Sequence, residues 1–508
     1  MLMMPRLSRL TVALLALLLL HGLAIPMIFQ VVAGTPRSET LIGHLEQFAD
    51  FTQRQDSWEP MSDARAYAMT QPGVDIYQEI FFRRKVKFQY PPSALLFTHD
   101  LSYWQLNVIS WCAVWLTLIM TVVIFRAALL KTPRRSFSPM GKFDLAVALL
   151  AAAGLGLTFY PLLKGYTLGQ IQVWVNALFA AAVWAWYSNR KLTAGVCLGV
   201  TLLIKPALTP LVLWALLRRE WRLAFAAAAT TVVGLAVSVA AYGLVSHLTY
   251  LRVLSFIASR GETFYPNQSV NGLLNRWFGN GDNLVFHNLE FSPYHPVVAA
   301  GTTITSGLLF ACALILPAVR RNADTRFDFP IMALTATMAS PIAWEHHYGI
   351  LLPLLAILVP ATLERSPLGR WTAASLMVSF ILLGQYVHSA QRFAFSAWNP
   401  LQSYMLFGGL LLLVTGYLSI FRSLPPRSAA PCRLKQWLTL GIKMPIRRTS
   451  KPPGLPTIRL RVWKSPLATL RVPSLLSSVA PQIATISSPS YAFCCFPLCE
   501  CACASRPH

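Results

Sequence analysis

Apolar runs long enough to cross a lipid bilayer recur along this chain and constrain its fold more than any other feature. A membrane-spanning helix needs about 20 consecutive apolar residues. Candidate stretches begin at Thr11, Leu101, Asp144, Leu168, Leu192, Leu223, Pro296, Phe327, Tyr348, Trp371 and Asn399. Of the 508 residues 55% are hydrophobic and only 12% charged, against roughly a quarter charged in a soluble domain. The period-2 alternation of barrel strands is absent, and an open sheet leaves backbone groups unpaired in hydrocarbon. The expected fold class is an all-α polytopic membrane protein.

The formal charge of +24 comes from 43 basic and 19 acidic residues. The basic residues gather at span ends: Arg6 and Arg9, Arg126 to Lys142, Arg190 and Lys191, Arg218 to Arg222, Arg320 to Arg326, Arg365 and Arg370, and from Arg422 onward. Loops retained in the cytoplasm carry this signature, so no nucleic-acid partner is expected. The first apolar run, Thr11 to Gly34, exceeds the roughly 7–15-residue core of a signal peptide and lacks an A-x-A cleavage site. It is expected to stay as a span with the N-terminus inside. The loops Thr35 to Asp100 and Ser246 to His295 then lie outside.

One stretch breaks the alternation. Leu192 to Leu217 carries basic residues at both ends, and Lys205-Pro206 and Pro210 interrupt its middle. Proline removes a helix donor and clashes with the preceding turn. Two half-spans, Leu192 to Ile204 and Ala207 to Leu217, resolve the parity, since broken helices are tolerated where they line a cavity. About twelve crossings result, with both termini cytoplasmic. A lysine at such a break is a functional candidate.

A membrane domain is therefore expected over residues 1–423, followed by a tail over 424–508. The tail holds twelve Lys or Arg, one acid (Glu500) and thirteen prolines, a composition of disorder. Six of the nine cysteines lie there with no paired C-x-x-C spacing and a single histidine, the terminal His508, while Cys112, Cys197 and Cys312 fall within spans. No metal or cofactor is expected.

Polar residues converge on the outer face: Asp56, Glu59, Asp63, Arg65 and Tyr67; Gln170 and Gln172; Asn267 to Arg276; and Glu345, His346 and His347. Each alone has a structural explanation. Asp63 suits a helix cap, Lys205 could snorkel, and NQSVNGLLNR could be a turn, with a formal N-glycosylation sequon at Asn267. Adjacent Glu345, His346 and His347 cannot present the i, i+4 ligand face of a zinc helix. Convergence on one face argues for a site.

The stretch from Asp63 to Leu96, with D-x-x-x-Y, GVDIY and FQYPPSALL, resembles the first external loop of polyprenol-phosphate-mannose-dependent mannosyltransferases of the GT-C fold, glycosyltransferase family 87. Four more stretches match in order: Gly169-Gln170 with Asn176, GVCLGVTLLIKP before RREWR, NQSVNGLLNR, and SPIAWEHH from Ser340 to His347. The resemblance covers roughly residues 10–420 and leaves out the tail. It implies a GT-C-like bundle of about twelve transmembrane helices in a bacterial plasma membrane, with its site outside the cell. It also implies inverting transfer of a sugar, by default mannose, from a polyprenyl phosphate to a lipid or glycan hydroxyl.

Such a site needs a carboxylate base and donors for the departing phosphate. The resemblance makes Asp63 the base, with Asp56 and Asp75 as rivals and His346 and His347 beside the reaction. Lys205, Arg276, Gln170, Asn267, Gln268 and Tyr67 are the expected substrate contacts. A secondary transporter with a broken-helix site is the alternative, weakened by the lack of an internal repeat. Arg83-Arg84-Lys85, basic on the outer side, has no explanation in the sequence.

Overall fold

The computed structural model describes residues 7–71, 73–131, 140–319, 326–363 and 369–422. The chain divides after Ala430; the expected tail, 424–508, lies outside the described residues, as do the basic loop residues 132–139, 320–325 and 364–368. Among the described residues there is no strand, only one isolated bridge between Asn267 and Trp344. The protein is an all-helical membrane protein.

Its helices are α1 (Arg9–Leu19), α2 (Ile25–Val32), α3 (Leu41–Ala49), α4 (Trp58–Thr70), α5 (Tyr103–Lys131), α6 (Lys142–Leu157), α7 (Tyr160–Thr167), α8 (Gln172–Tyr187) and α9 (Lys191–Ile204). They continue as α10 (Pro210–Leu217), α11 (Trp221–Tyr242), α12 (Leu244–Arg260), α13 (Val270–Trp277), α14 (Pro296–Val319), α15 (Asp328–Ala339), α16 (Leu352–Leu363), α17 (Gly369–Gly384) and α18 (Tyr404–Arg422). By length and composition five of the described helical stretches can cross a membrane, six if the pair α6 and α7, bent by 48°, is one span. The expectation of about twelve exceeds this number because several apolar helices are short. The helix α15 spans 12 residues and every one is buried, as befits a helix apolar on all sides and enclosed by protein.

The break expected at Lys205-Pro206 is present. The helix α9 stops at Ile204, Lys205 is extended, and a short 3-10 turn over Pro206–Leu208 leads to α10. The two halves form a re-entrant pair, because Lys191 at the start of α9 pairs with Glu220 just past α10 at 3.7 Å. Gly195 and Gly199, one turn apart, let α9 meet α11. A Cβ at Gly195 would lie 2.4 Å from the Leu223 carbonyl oxygen, and one at Gly199 would lie 2.7 Å from that of Ala227. Small residues at this spacing allow close helix approach in lipid. The tip of the pair is fastened to the first long loop by Ser93 Oγ, which donates to the Leu203 carbonyl at 2.6 Å.

Contacts also sort the two ends of the bundle. Ser8 meets Asp144, Lys131 Nζ reaches the Tyr187 carbonyl, and Arg218 pairs with Asp328, at 3.1, 3.3 and 2.6 Å. These residues flank the basic clusters, and they lie at the end of the bundle away from Lys205. At the opposite end the first long loop, the segment 165–172, the tip of α9 and the block 340–351 come together.

Candidate active site

The polar end of the bundle is built on a close backbone approach. Arg54, Asp56 and Ser57 donate their backbone N–H groups to the carbonyls of Thr167, Leu168 and Gly169 at 2.8, 3.0 and 3.1 Å. Gly169 has φ +68°, and a Cβ there would fall 1.9 Å from the Arg54 carbonyl oxygen. Only glycine accommodates both demands. Gly169→Ala is expected to destabilise the fold by roughly 2 kcal/mol or more and to lower activity at least as steeply as stability. Thermal unfolding in detergent checks this, and an unchanged midpoint would count against the pairing.

This pairing sets Asp56 against Gln170. The Gln170 carboxamide oxygen accepts from Ser57 Oγ at 2.8 Å and from the Tyr90 hydroxyl at 3.0 Å, which turns its amide nitrogen onto Asp56 Oδ2. Although Asp56 as a residue is exposed, its carboxyl end is crowded by protein. Partial removal from water holds its pKa above the ordinary carboxylate value, opposed by the Gln170 hydrogen bond, Lys164 and Arg54 and reinforced by Glu59.

Asp63 does not join this group. It lies on the exposed face of α4, beyond the first turn, with no hydrogen bond or ion pair among the described residues. Helix register decides this: Met61 and Ala64 turn inward, and Asp63 between them turns out. Nor is it a cap, since α4 begins at Trp58. Tyr67 is half-buried on the same helix, under the Arg84 guanidinium at 5.5 Å from its ring centre. Asp75 is used structurally: Oδ1 accepts from the N–H groups of Tyr77 and Gln78 at 3.1 and 3.2 Å, and Oδ2 from Thr249 Oγ1 at 2.6 Å.

Two residues past Gln170, Gln172 opens the second half of the site. Its side-chain oxygen accepts from Lys205 Nζ at 2.6 Å and its nitrogen donates to Asn176 at 2.9 Å. Lys205, Gln172, Thr337, Ser340 and His347 help line a small cleft, about 290 Å³ only when its opening to solvent is included. The His346 and His347 rings meet edge to face at 4.7 Å, and buried His346 Nε2 has no partner among the described residues. Gly165 brings α7 against His346, where a Cβ would sit 3.5 Å from that of the histidine.

Asn267, Gln268 and Arg276 are spent on the scaffold, against the expectation that they contact substrate. Asn267 donates to the Glu262 and Pro341 carbonyls at 2.8 and 3.2 Å and accepts from the Ala343 N–H at 2.9 Å. Gln268 ties the Tyr265 and Gln402 carbonyls to the Met405 N–H. The Arg276 guanidinium, 1% exposed, donates to carbonyls of residues 263–265 and to Ser403 Oγ at 2.6 Å. Buried polar groups must find partners, and here backbone supplies most of them, with Arg276 Nε left without one among the described residues; the Asn267 amide nitrogen is occupied by two carbonyls. Together these residues hold the strip 340–347 in place, so the motif read as a contact surface is its mount.

Comparison with known proteins agrees with the geometry. The model for glycosyltransferase family 87 matches residues 88–341, half of the chain. The chain belongs to glycosyltransferase family 87. The match takes in Gln170, Gln172, Lys205 and the scaffold at Asn267 to Arg276, and ends before His346. An alpha-(1->3)-arabinofuranosyltransferase of Mycobacterium tuberculosis is 27% identical over 374 residues, 72% of this chain and 79% of that protein. A polyprenol-phosphate-mannose-dependent alpha-(1-2)-phosphatidylinositol pentamannoside mannosyltransferase of the same organism is 27% identical over 289 residues, 55% of this chain and 60% of that protein. Its counterpart in Mycolicibacterium smegmatis is 29% identical over 283 residues, 54% and 62%. No solved structure matches significantly. As a family 87 member the chain is a membrane glycosyltransferase, and the transporter alternative falls away.

The basic run in the first loop also gains an account. Arg83 and Arg84 both pair with Glu79, at 3.0 and 2.9 Å, and Lys85 approaches Glu290 at 3.8 Å. The partners of three residues went unread in the sequence. Tyr90 locks Gln170, Lys164 lies close enough for its charge to act on Asp56, and Glu345 accepts the hydroxyls of Tyr160 and Tyr404, both at 3.1 Å. Lys164 showed there as a lone cation inside an apolar stretch, and Glu345 as part of the polar run with His346 and His347.

Proposed function

We propose that this glycosyltransferase moves a sugar from a polyprenyl phosphate to a hydroxyl of a lipid or glycan acceptor on the extracytoplasmic side of a bacterial plasma membrane. The base in this reading is Asp56 rather than Asp63. The observation that carries it is the segment 165–172, which joins a carboxylate aimed by Gln170 to a cleft lined by Lys205, Gln172 and His347. The acceptor oxygen bonds the anomeric carbon, its proton passes to Asp56, and the carbon–oxygen bond to phosphate breaks with inversion. Polyprenyl phosphate leaves.

Lys205 supplies a point charge for the developing phosphate, and His347 at the cleft and His346 behind it supply hydrogen bonds. Asn267, Gln268 and Arg276 act by fixing the histidine strip. The flanks of the basic clusters lie at the other end of the bundle, which by the positive-inside bias is cytoplasmic. Both termini are assigned to that side, with about twelve crossings when the re-entrant halves and short buried helices are included.

Mannose is the primary donor sugar in this reading. Arabinofuranose is the second, favoured by the longer match to the arabinofuranosyltransferase. Purified protein offered polyprenyl-phosphate mannose, polyprenyl-phosphate arabinofuranose and nucleotide sugars, each with glycolipid acceptors, tests both. Transfer from a polyprenyl-phosphate sugar and none from nucleotide sugars is expected. Transfer from a nucleotide sugar alone would overturn the donor class.

A further inference from the structure

Lys164 is the one residue of α7 that is not buried, and it makes no ion pair or side-chain hydrogen bond among the described residues. One turn earlier on the same helix, Tyr160 places its hydroxyl on Glu345. Residues four apart share a helix face, so Lys164 also looks toward Glu345. That carboxylate is 2% exposed. Its two oxygens accept the hydroxyls of Tyr160 and Tyr404, and it has no paired cation among the described residues. A buried carboxylate needs a compensating charge. On its other flank Lys164 lies one turn before Leu168, whose carbonyl holds the Asp56 backbone N–H at 3.0 Å. Glu345, Asp56 and Glu39 all act on the Lys164 ammonium, against the like charge of Arg54.

We propose that Lys164 is the positioning cation of this site, its ammonium standing between Glu345 and Asp56 and holding Asp56 in the ionised form that takes the acceptor's proton. The proposal rests on the assignment of Asp56 as base. The groups acting on Asp56 are Gln170 from the segment before α8, Lys164 from α7, Arg54 from its own loop and Glu59 from the first turn of α4. Arg54 and Glu59 are exposed, so water and salt screen them. Lys164 is half-buried and screened least.

The test uses the full chain in detergent or nanodiscs, as wild type, Lys164→Gln and Lys164→Arg. The protonated carboxyl adds to a carbodiimide, and glycine ethyl ester then displaces the urea to leave an amide that marks Asp56 for peptide mass spectrometry across a pH series. Loss of the neighbouring cation disfavours the carboxylate, so the labelling midpoint in Lys164→Gln is expected to move up by about one pH unit. The acid limb of the sugar-transfer profile should move with it, and Lys164→Arg should restore both. An unmoved midpoint, including one accompanied by an equal loss of rate at every pH, overturns the role of Lys164. A midpoint that moves in a wild-type background that transfers no sugar leaves the electrostatic assignment standing and refutes the transfer reading instead.

Discussion

Asp56→Asn is expected to lower kcat for sugar transfer by about 10²–10⁴-fold, the range for loss of a general base, while the donor KM changes little. The asparagine keeps the shape and can still meet Gln170, so folding should survive. What is lost is the capacity to take a proton from the attacking hydroxyl. Asp63→Asn is the control, expected within about twofold of wild type because that side chain stands exposed on α4 without a partner, as surface positions usually do. The reverse result, a silent Asp56→Asn and a dead Asp63→Asn, would return the base to Asp63.

The pH profile gives a second reading of the same residue. Crowding holds the Asp56 carboxyl above its ordinary value, which is about 3.9 for a free aspartate. A base works deprotonated, so the rate should rise with pH through this pKa and fall below it. In Asp56→Asn the residual rate should lose that acid limb. A limb that persists unchanged would assign it to another group.

Lys205→Ala is expected to lower kcat/KM for the lipid-linked donor by about 10²–10³-fold, as for removal of one preorganised donor to a developing anion. Lys205 sits at the tip of the re-entrant pair with a single side-chain partner, Gln172 at 2.6 Å. Its ammonium therefore has donor capacity left for a phosphate. Lys205→Arg should recover part of the loss, since charge is kept while the compact ammonium is replaced by a wider fork. A lysine that merely reaches for the membrane surface makes a different prediction: Lys205→Ala would then leave kcat/KM within about threefold. Steady-state kinetics with varied donor separates the two.

Several parts of this architecture were legible in the chain because they depend on local chemistry. The break at Lys205-Pro206 follows from proline geometry and two basic flanks. The block from Ser340 to His347 marked a site because histidines and a carboxylate interrupt an apolar run. The buried Asn267, Gln268 and Arg276 were legible as a motif but not as a mount. Polar side chains that grip backbone and those that grip a ligand are the same residue types, and only their partners tell them apart. The number of crossings is harder to read for a related reason: a short helix such as α15 is as apolar as a span because protein surrounds it on every side.

By itself the sequence determined that this chain is an all-helical membrane protein, where its reentrant helix turns, and which stretches carry its polar groups. Those properties reside in residues near each other along the chain. Tertiary structure decided which carboxylate is fastened to the segment 165–172. Asp56 and Gln170 meet across 114 residues because Gly169 lets two backbones pass within hydrogen-bonding distance, and α4 then turns Asp63 away. It also set Lys164 on a helix turn flanked by the Tyr160–Glu345 hydrogen bond and the Leu168–Asp56 backbone bond, since a helix face, a 3-10 turn and a loop from distant parts of the chain must pack before their charges can act on one another.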